Sequence, residues 1–313
     1  MERLLSFAPQ APLQRVDHPL YQSHGLMVRM LRLDLMHPVI SGNKWFKLRE
    51  NLLRARHLNK PLIVSFGGAF SNHIHSLAAA GQQFGFRTVG MIRGEPEYAS
   101  NPTLSDAARW GMELRFISRA DYRQKESDEF INQLREQLGD FYLIPEGGGN
   151  ALGVQGCRKI LTDIESRIEA QPDYVACDLG TGTTFAGLIS AQWRSRFLGF
   201  AALKGPEYLQ QQVKHALALQ SSGDPGNWEV IGGYHFGGFA RMDRTLVQFM
   251  QRYEQQTGIA LEPIYSAKLL FGLHDLIRQK RFKAGDEILV IHGGGMQGLR
   301  GMADSVQRLK EAV

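Results

Sequence analysis

Five short stretches of the chain carry residues that could do chemistry. In SGNKWFKL (41–48), Ser41, Gly42 and Asn43 make a turn or cap, and Lys44 stands where a helix begins. The positive end of the helix dipole disfavours a protonated lysine there and lowers its pKa, and a neutral amine is what attacks an aldehyde. A solvated lysine that tolerates the mismatch is the plainer reading of the same residues. In VSFGGAFSNHIHSLAAAG (64–81), an apolar run ends in Gly67-Gly68, and Ser71 or Asn72 caps the helix that follows. Free backbone N–H groups at such a helix start also hold a carboxylate. His73 and His75 are two residues apart and do not share a helix face, so no metal site is read there.

In DLGTGTTFAGL (178–188), an apolar run enters Gly180-Thr181-Gly182-Thr183-Thr184 and a helix leaves. Glycines let the backbone approach an anion, threonines add hydroxyl donors, and the helix start adds its dipole; the composition favours a phosphate cup over a plain tight turn. No Lys follows the last Gly, so it is not a P-loop, and Gly187 comes too late for a dinucleotide fingerprint. In GIALEPIYSAKLLFGL (258–273), Tyr265 follows Pro263 before an apolar helix, and alone it reads as a buried tyrosine with one satisfied hydroxyl. IHGGGMQG (291–298) is a Gly-rich strand exit that permits close approach to something flat or bulky.

The elements that must position these residues alternate. Strands are predicted over 62–68, 87–94, 141–148, 174–180, 197–203, 229–234 and 287–295, and helices over 44–57, 71–84, 101–111 and 183–195. The alternation implies an α/β protein with parallel sheets covered on both faces. Ligands of such sheets bind outside the carboxyl ends of the strands, where the Gly-rich turns stand. QSSGDPGN (220–227) reads as a surface loop, and no internal repeat or linker stands out.

Composition limits the function classes. The 313 residues suffice for one large domain or two lobes, and 43% apolar with 21% charged residues is ordinary for a soluble protein. The net charge of +5 comes from interleaved residues with no basic block, which argues against nucleic acid. Cys157 and Cys177 form no Cys-x-x-Cys pair and read as reduced core thiols. Neither a signal sequence nor an apolar span of membrane length is evident, so no membrane partner and a cytoplasmic location are expected.

Together and in this order, SGNKxxKL, GAxSNH, the GTGTT cup, PxY before a helix and GGGNALGVQG (147–156) resemble one family. It is the D-cysteine desulfhydrase and 1-aminocyclopropane-1-carboxylate deaminase family, among the tryptophan-synthase-β-like (fold type II) pyridoxal-phosphate enzymes. The resemblance covers residues 8–300. It implies a two-lobed α/β architecture, with residues 1–45 plus 146–313 as the larger, cofactor-binding lobe and 46–145 as the smaller one. It implies pyridoxal 5′-phosphate as cofactor, a small amino-acid substrate and a homodimer. Lys44 matches the lysine that forms the Schiff base, Asn72 the residue beside the pyridine 3′-oxygen, and Ser71 the serine on the substrate carboxylate, with His73 next to them. Gly180 to Thr184 match the phosphate loop, and Tyr265 an active-site tyrosine that orients the substrate or protonates its leaving group.

Four positions depart from the family. Phe70 stands where Gln is usual, Phe239 where a second tyrosine follows Gly, and Gly293 where the desulfhydrases carry Thr in His-Thr-Gly-Gly. Ser266 stands where the deaminases carry a Glu facing the pyridine nitrogen. The cofactor half of the pattern is intact and the substrate half is altered. The resemblance therefore implies β-elimination from an amino acid, and the missing Glu argues against cyclopropane ring opening. A nicotinamide-dependent oxidoreductase and a cofactor-binding carrier or regulator with little turnover are the readings from other classes.

Overall fold

The computed structural model describes residues 2–40 and 42–311. Ser41, expected in the turn before Lys44, lies outside them. In chain order the first elements are α1 (Glu2–Leu5), β1 (Leu13–Arg15), α2 (Pro19–Ser23), β2 (Met27–Arg32), α3 (Asn43–His57), β3 (Leu62–Gly68), α4 (Asn72–Phe84) and β4 (Arg87–Arg93). Then come α5 (Pro102–Arg109), β5 (Met112–Ile117), α6 (Arg119–Arg123), α7 (Asp128–Leu138), β6 (Tyr142–Ile144), α8 (Ala151–Thr162), β7 (Tyr174–Leu179) and α9 (Thr183–Ile189). The chain ends with β8 (Arg196–Ala201), α10 (Pro206–Ala218), β9 (Trp228–Ile231), α11 (Arg244–Thr257), α12 (Ser266–Arg278), β10 (Glu287–His292) and α13 (Ala303–Glu311).

Two sheets result. One has the order β1-β2-β10-β7-β8-β9, parallel throughout except for β1, which runs antiparallel to β2. The other, β5-β4-β3-β6, is wholly parallel. The central strands β3, β7 and β10 are nearly continuous apolar runs because helices cover both of their faces. All seven strands predicted from the sequence are present; β1, β2 and β5 were not expected. β2 and β5 are interrupted by charges that the fold neutralises. Arg29 pairs with Glu287 at 2.6 Å and Arg32 with Asp34 at 2.6 Å, while on the edge strand β5 Arg115 pairs with Glu113 at 2.6 Å. The helix expected over 183–195 stops at Ile189. The Ser190 hydroxyl donates to the Gly187 carbonyl, and Gln192 takes a left-handed φ of 60°.

The four-stranded sheet draws all its strands from 62–144. A single apolar cluster nevertheless runs from Ile63, Ile74 and Ile92 to Val175, Leu179 and Ile291, linking both sheets. The expected boundary at 45/46 cuts α3 in its first turn, and α3 packs along α8 from beyond the four-stranded sheet. Gly156 makes that packing possible: a Cβ there would lie 1.9 Å from the Phe46 carbonyl oxygen. α9 meets α8 in the same way, since a Cβ on Gly187 would lie 2.3 Å from Cys157 Cβ. Cys157 and Cys177 are buried free thiols in this core. No helix among the described residues is long and apolar enough to cross a membrane.

Candidate active site

The carboxyl ends of β3, β7 and β10 and the start of α3 meet at a cavity of about 420 Å³. That is the size of a site for a small organic ligand. Lys44, Ser71, Asn72, His73, Gly180, Thr181, Gly182, Thr184, Phe239 and Tyr265 all line it. Residues from five separate parts of the sequence are thus brought together.

Lys44 is in the first turn of α3 and is half-buried. Burial, reinforced by the Lys47 ammonium, lowers its pKa to about 8, against the opposing charges of Asp178 and Glu262. Its Nζ donates to Asn43 Oδ1 at 2.7 Å, and Asn43 Nδ2 donates to Thr184 Oγ1 at 3.0 Å. The Lys44 amine is therefore tied to the Gly-Thr loop through one asparagine. Lys47 is buried and reaches the same loop, with Nζ 3.4 Å from Thr181 Oγ1. Both lysines carry pKa values lowered by burial.

The loop itself is shaped by Gly182, whose φ of 84° is left-handed and caps the start of α9. Thr181 and Thr184 face the cavity, whereas Thr183 is buried behind them with its Oγ1 3.3 Å from that of Thr181. Ser71 caps α4, accepting from Ile74 N at 3.3 Å. Asn72 follows it, and its Oδ1 accepts from Gln297, which in turn takes a hydrogen bond from Thr103 at 3.1 Å. His73 is fixed in one tautomer. Ser65 donates its proton to the Ile144 carbonyl at 2.7 Å and so accepts from His73 Nε2 at 2.9 Å, which leaves Nδ1 an unpartnered acceptor. Burial, with Lys44 and Lys47 adding to it, pushes this imidazole down to about 3, so it stays neutral.

Tyr265 immediately precedes α12, and its hydroxyl makes no hydrogen bond to any described residue. Phe239 meets its ring edge-on at 6.2 Å. The loop carrying Phe239 is held by Lys268, a buried lysine whose Nζ donates to the Gly238 carbonyl at 2.8 Å and the Ala202 carbonyl at 3.3 Å. Phe70 is 45% exposed and Phe239 55%, so both stand at the mouth of the cavity rather than in its floor.

Ser266 differs from expectation. It does not line the cavity. Its hydroxyl turns back to the Glu262 backbone, accepting from the N–H at 2.9 Å and donating to the carbonyl at 3.3 Å. Glu262 is buried and accepts from the backbone N–H groups of Ile264, Tyr265 and Ser266. Burial pushes its carboxyl up to about 7 despite those bonds. Sequence reasoning passed over Lys47, Glu262, Lys268 and Asp178, and read Asn43 only as part of a turn or cap. Asp178, the last residue but one of β7, lines the cavity and carries a buried Oδ1 with no hydrogen-bond partner.

These features fit pyridoxal phosphate. There is an amine of lowered pKa for its aldehyde, a loop of glycine and threonine backed by a second lysine for its phosphate, and an unpartnered buried acid for its ring. No group of three metal-ligating side chains is found among the described residues.

The comparisons with known proteins agree. Residues 10–294 match the model of the family described as pyridoxal-phosphate dependent enzyme. A protein of Thermotoga maritima named putative 1-aminocyclopropane-1-carboxylate deaminase is 28% identical, over 94% of this chain and 96% of its own. The Arabidopsis thaliana protein named bifunctional D-cysteine desulfhydrase/1-aminocyclopropane-1-carboxylate deaminase, mitochondrial, is 27% identical over 91% of this chain and 76% of its own. The crystal structure of an ACC deaminase homologue superposes with a TM-score of 0.83 at 26% identity, covering 98% of both chains. With the family model matching residues 10–294, this chain belongs to the family of pyridoxal-phosphate dependent enzymes.

Proposed function

We propose that the protein is a lyase that eliminates a β-substituent from a small D-amino acid, releasing a 2-oxo acid and ammonia. One observation carries this reading. Lys44, with its pKa brought to about 8, shares a cavity with Tyr265, whose hydroxyl has no partner among the described residues. An amine of that pKa accepts the α-proton near neutral pH, and a free phenol hydroxyl donates to a departing β-group. Pyridoxal phosphate, when bound, supplies the electron sink for the charge left at Cα. Lys44 would hold it covalently, Thr181, Gly182, Thr184 and Lys47 its phosphate, and Asn72 its ring oxygen. Ser71 and the backbone N–H groups opening α4 would hold the substrate carboxylate. Phe70 and Phe239 at the mouth favour an apolar β-substituent over a small polar one. The family resemblance extends the proposal to a two-lobed homodimer in the cytoplasm, which sedimentation and cell fractionation would check.

A second reading, deamination of 1-aminocyclopropane-1-carboxylate, is favoured by the buried carboxylates of Asp178 and Glu262, which the sequence alone did not place near the site. Keto-acid release decides between them. The panel is D-cysteine, β-chloro-D-alanine, bulkier β-substituted D-amino acids, their L-enantiomers and the cyclopropane amino acid. The highest kcat/KM is expected for a β-substituted D-amino acid. Efficient 2-oxobutanoate formation from the cyclopropane substrate would replace the first reading by the second. No keto acid from any compound would leave a carrier or regulator.

A further inference from the structure

We propose that Asp178 holds the pyridine nitrogen of the cofactor, its carboxylate accepting a hydrogen bond from a protonated ring. The inference rests on the pyridoxal-phosphate reading of the cavity. That ligand is a flat ring with four distinct polar points: aldehyde carbon, phosphate arm, phenolic oxygen and ring nitrogen. Lys44, the loop 180–184 and Asn72 account for the first three. The nitrogen lies across the ring from the aldehyde carbon, so its partner must come from the cavity wall rather than from the lysine turn.

Among the described residues, two carboxylates line the cavity, Asp178 and Glu146. Glu146 is engaged by Lys125 at 3.6 Å. Glu262, buried behind the wall, spends both carboxylate oxygens on three backbone N–H groups. Ser266, at the position the sequence pointed to, has turned its hydroxyl away. Asp178 Oδ1 alone among these acids is buried without a partner. A buried acceptor left unpaired is costly, and a fold retains one where a ligand completes it.

The neighbouring strand makes room for it. Gly293 follows β10, which is paired with β7, and a Cβ there would stand 2.8 Å from Asp178 Oδ1. A threonine at 293 and the aspartate at 178 therefore exclude one another without a shift of the carboxylate. With glycine at 293, the carboxylate from β7 stands where the threonine of the resembled desulfhydrases would bring a hydroxyl from the end of β10. Their chemistry differs. A hydroxyl tolerates an unprotonated nitrogen, whereas an ionised carboxylate favours the pyridinium and so a stronger electron sink. Burial pushes the Asp178 carboxyl above its ordinary range while Lys44, His292 and Lys47 draw it down; a positively charged ring nitrogen acts in the same sense as those three.

The test uses holoprotein reconstituted with cofactor carrying 15N at the ring nitrogen. Wild-type protein is expected to give a protonated-nitrogen resonance, and Asp178→Asn to move it to the unprotonated range, because an amide can donate to the bare nitrogen. Binding of the 1-deaza analogue, which has carbon at that position, gives a second readout. Wild-type should prefer pyridoxal phosphate by roughly ten- to a hundredfold, as for a buried charge-assisted hydrogen bond, and Asp178→Asn should lose that preference. An unprotonated nitrogen in the wild type, or equal affinity for cofactor and analogue, overturns the proposal even where the variant does not fold. Borohydride reduction and peptide mapping on the same sample keep the two readings apart. Cofactor on Lys44 with an unmoved nitrogen signal in Asp178→Asn sinks this inference alone; no adduct on Lys44 sinks the reading beneath it.

Discussion

Lys47 reaches out of the first turns of α3 to the loop after β7, placing its Nζ 3.4 Å from Thr181 Oγ1. One helix thus presents two amines, three residues apart, to one cavity. Lys44 has the half-buried position and the pKa near 8, and Lys47 the buried position against the Gly-Thr loop.

Lys47→Met should weaken pyridoxal phosphate by about ten- to a hundredfold, because it removes a buried cation from the phosphate end. Affinity for pyridoxal, which lacks the phosphate, should change little. Equilibrium binding of the two compounds to wild type and variant checks this. Equal losses for both would place the lysine elsewhere in the mechanism.

Lys44→Ala should abolish covalent attachment, seen as the absence of a pyridoxyl adduct after borohydride reduction and peptide mapping. In the wild type the attachment rate should follow the neutral amine. It should rise with pH and level off above about 8, the value to which burial lowers this lysine, rather than climbing towards the ordinary lysine range. Stopped-flow absorbance of apoprotein mixed with cofactor reads the profile.

Lys268→Met should leave the Gly238 and Ala202 carbonyls without their buried donor and cost about 2 kcal/mol of stability. The Phe239 loop is released as well. The expected kinetic signature is a raised KM with cofactor affinity unchanged, measured beside urea unfolding of the holoprotein.

Gly156→Ala should destabilise the protein by about 2–3 kcal/mol, since the new methyl would collide with the Phe46 carbonyl across the α3–α8 contact. Covalent cofactor loading should fall with it, because α3 carries Lys44. Unfolding of the apoprotein and stoichiometry of bound cofactor give the two numbers.

The sequence pattern announces the site where a residue's type and its local frame coincide. Lys44 at a helix start, Ser71 as a cap and Gly180–Thr184 between strand and helix are all visible in one dimension, and each is found at the cavity. The central strands are legible for the same reason, being buried on both faces. Charged strands are not: β5 carries Glu113 and Arg115 on an edge, and their mutual neutralisation appears only in three dimensions. Asp178 was hidden because it stands near the end of an apolar run, where a lone acid looks like a strand terminus. Its meaning depends on Gly293, more than a hundred residues later, which the fold sets beside it. Ser266 misled for the opposite reason. Its position in the pattern is right, but the Glu262 backbone claims its hydroxyl.

α8 touches nothing that reacts, yet two close contacts on it govern the span of the site. Gly156 sets how near α3 comes, and Gly187 of α9 seats against Cys157 in the same groove. Lys44 on α3 and the loop that opens α9 are thus gauged off a single rod, like the jaws of a caliper whose opening is fixed by close contact. Side chains at the mouth can drift, and the substrate with them, while the jaws keep their setting. The spacing between Lys44 and the loop 180–184 is thus set by the contacts at Gly156 and Gly187 and not by the side chains at the mouth.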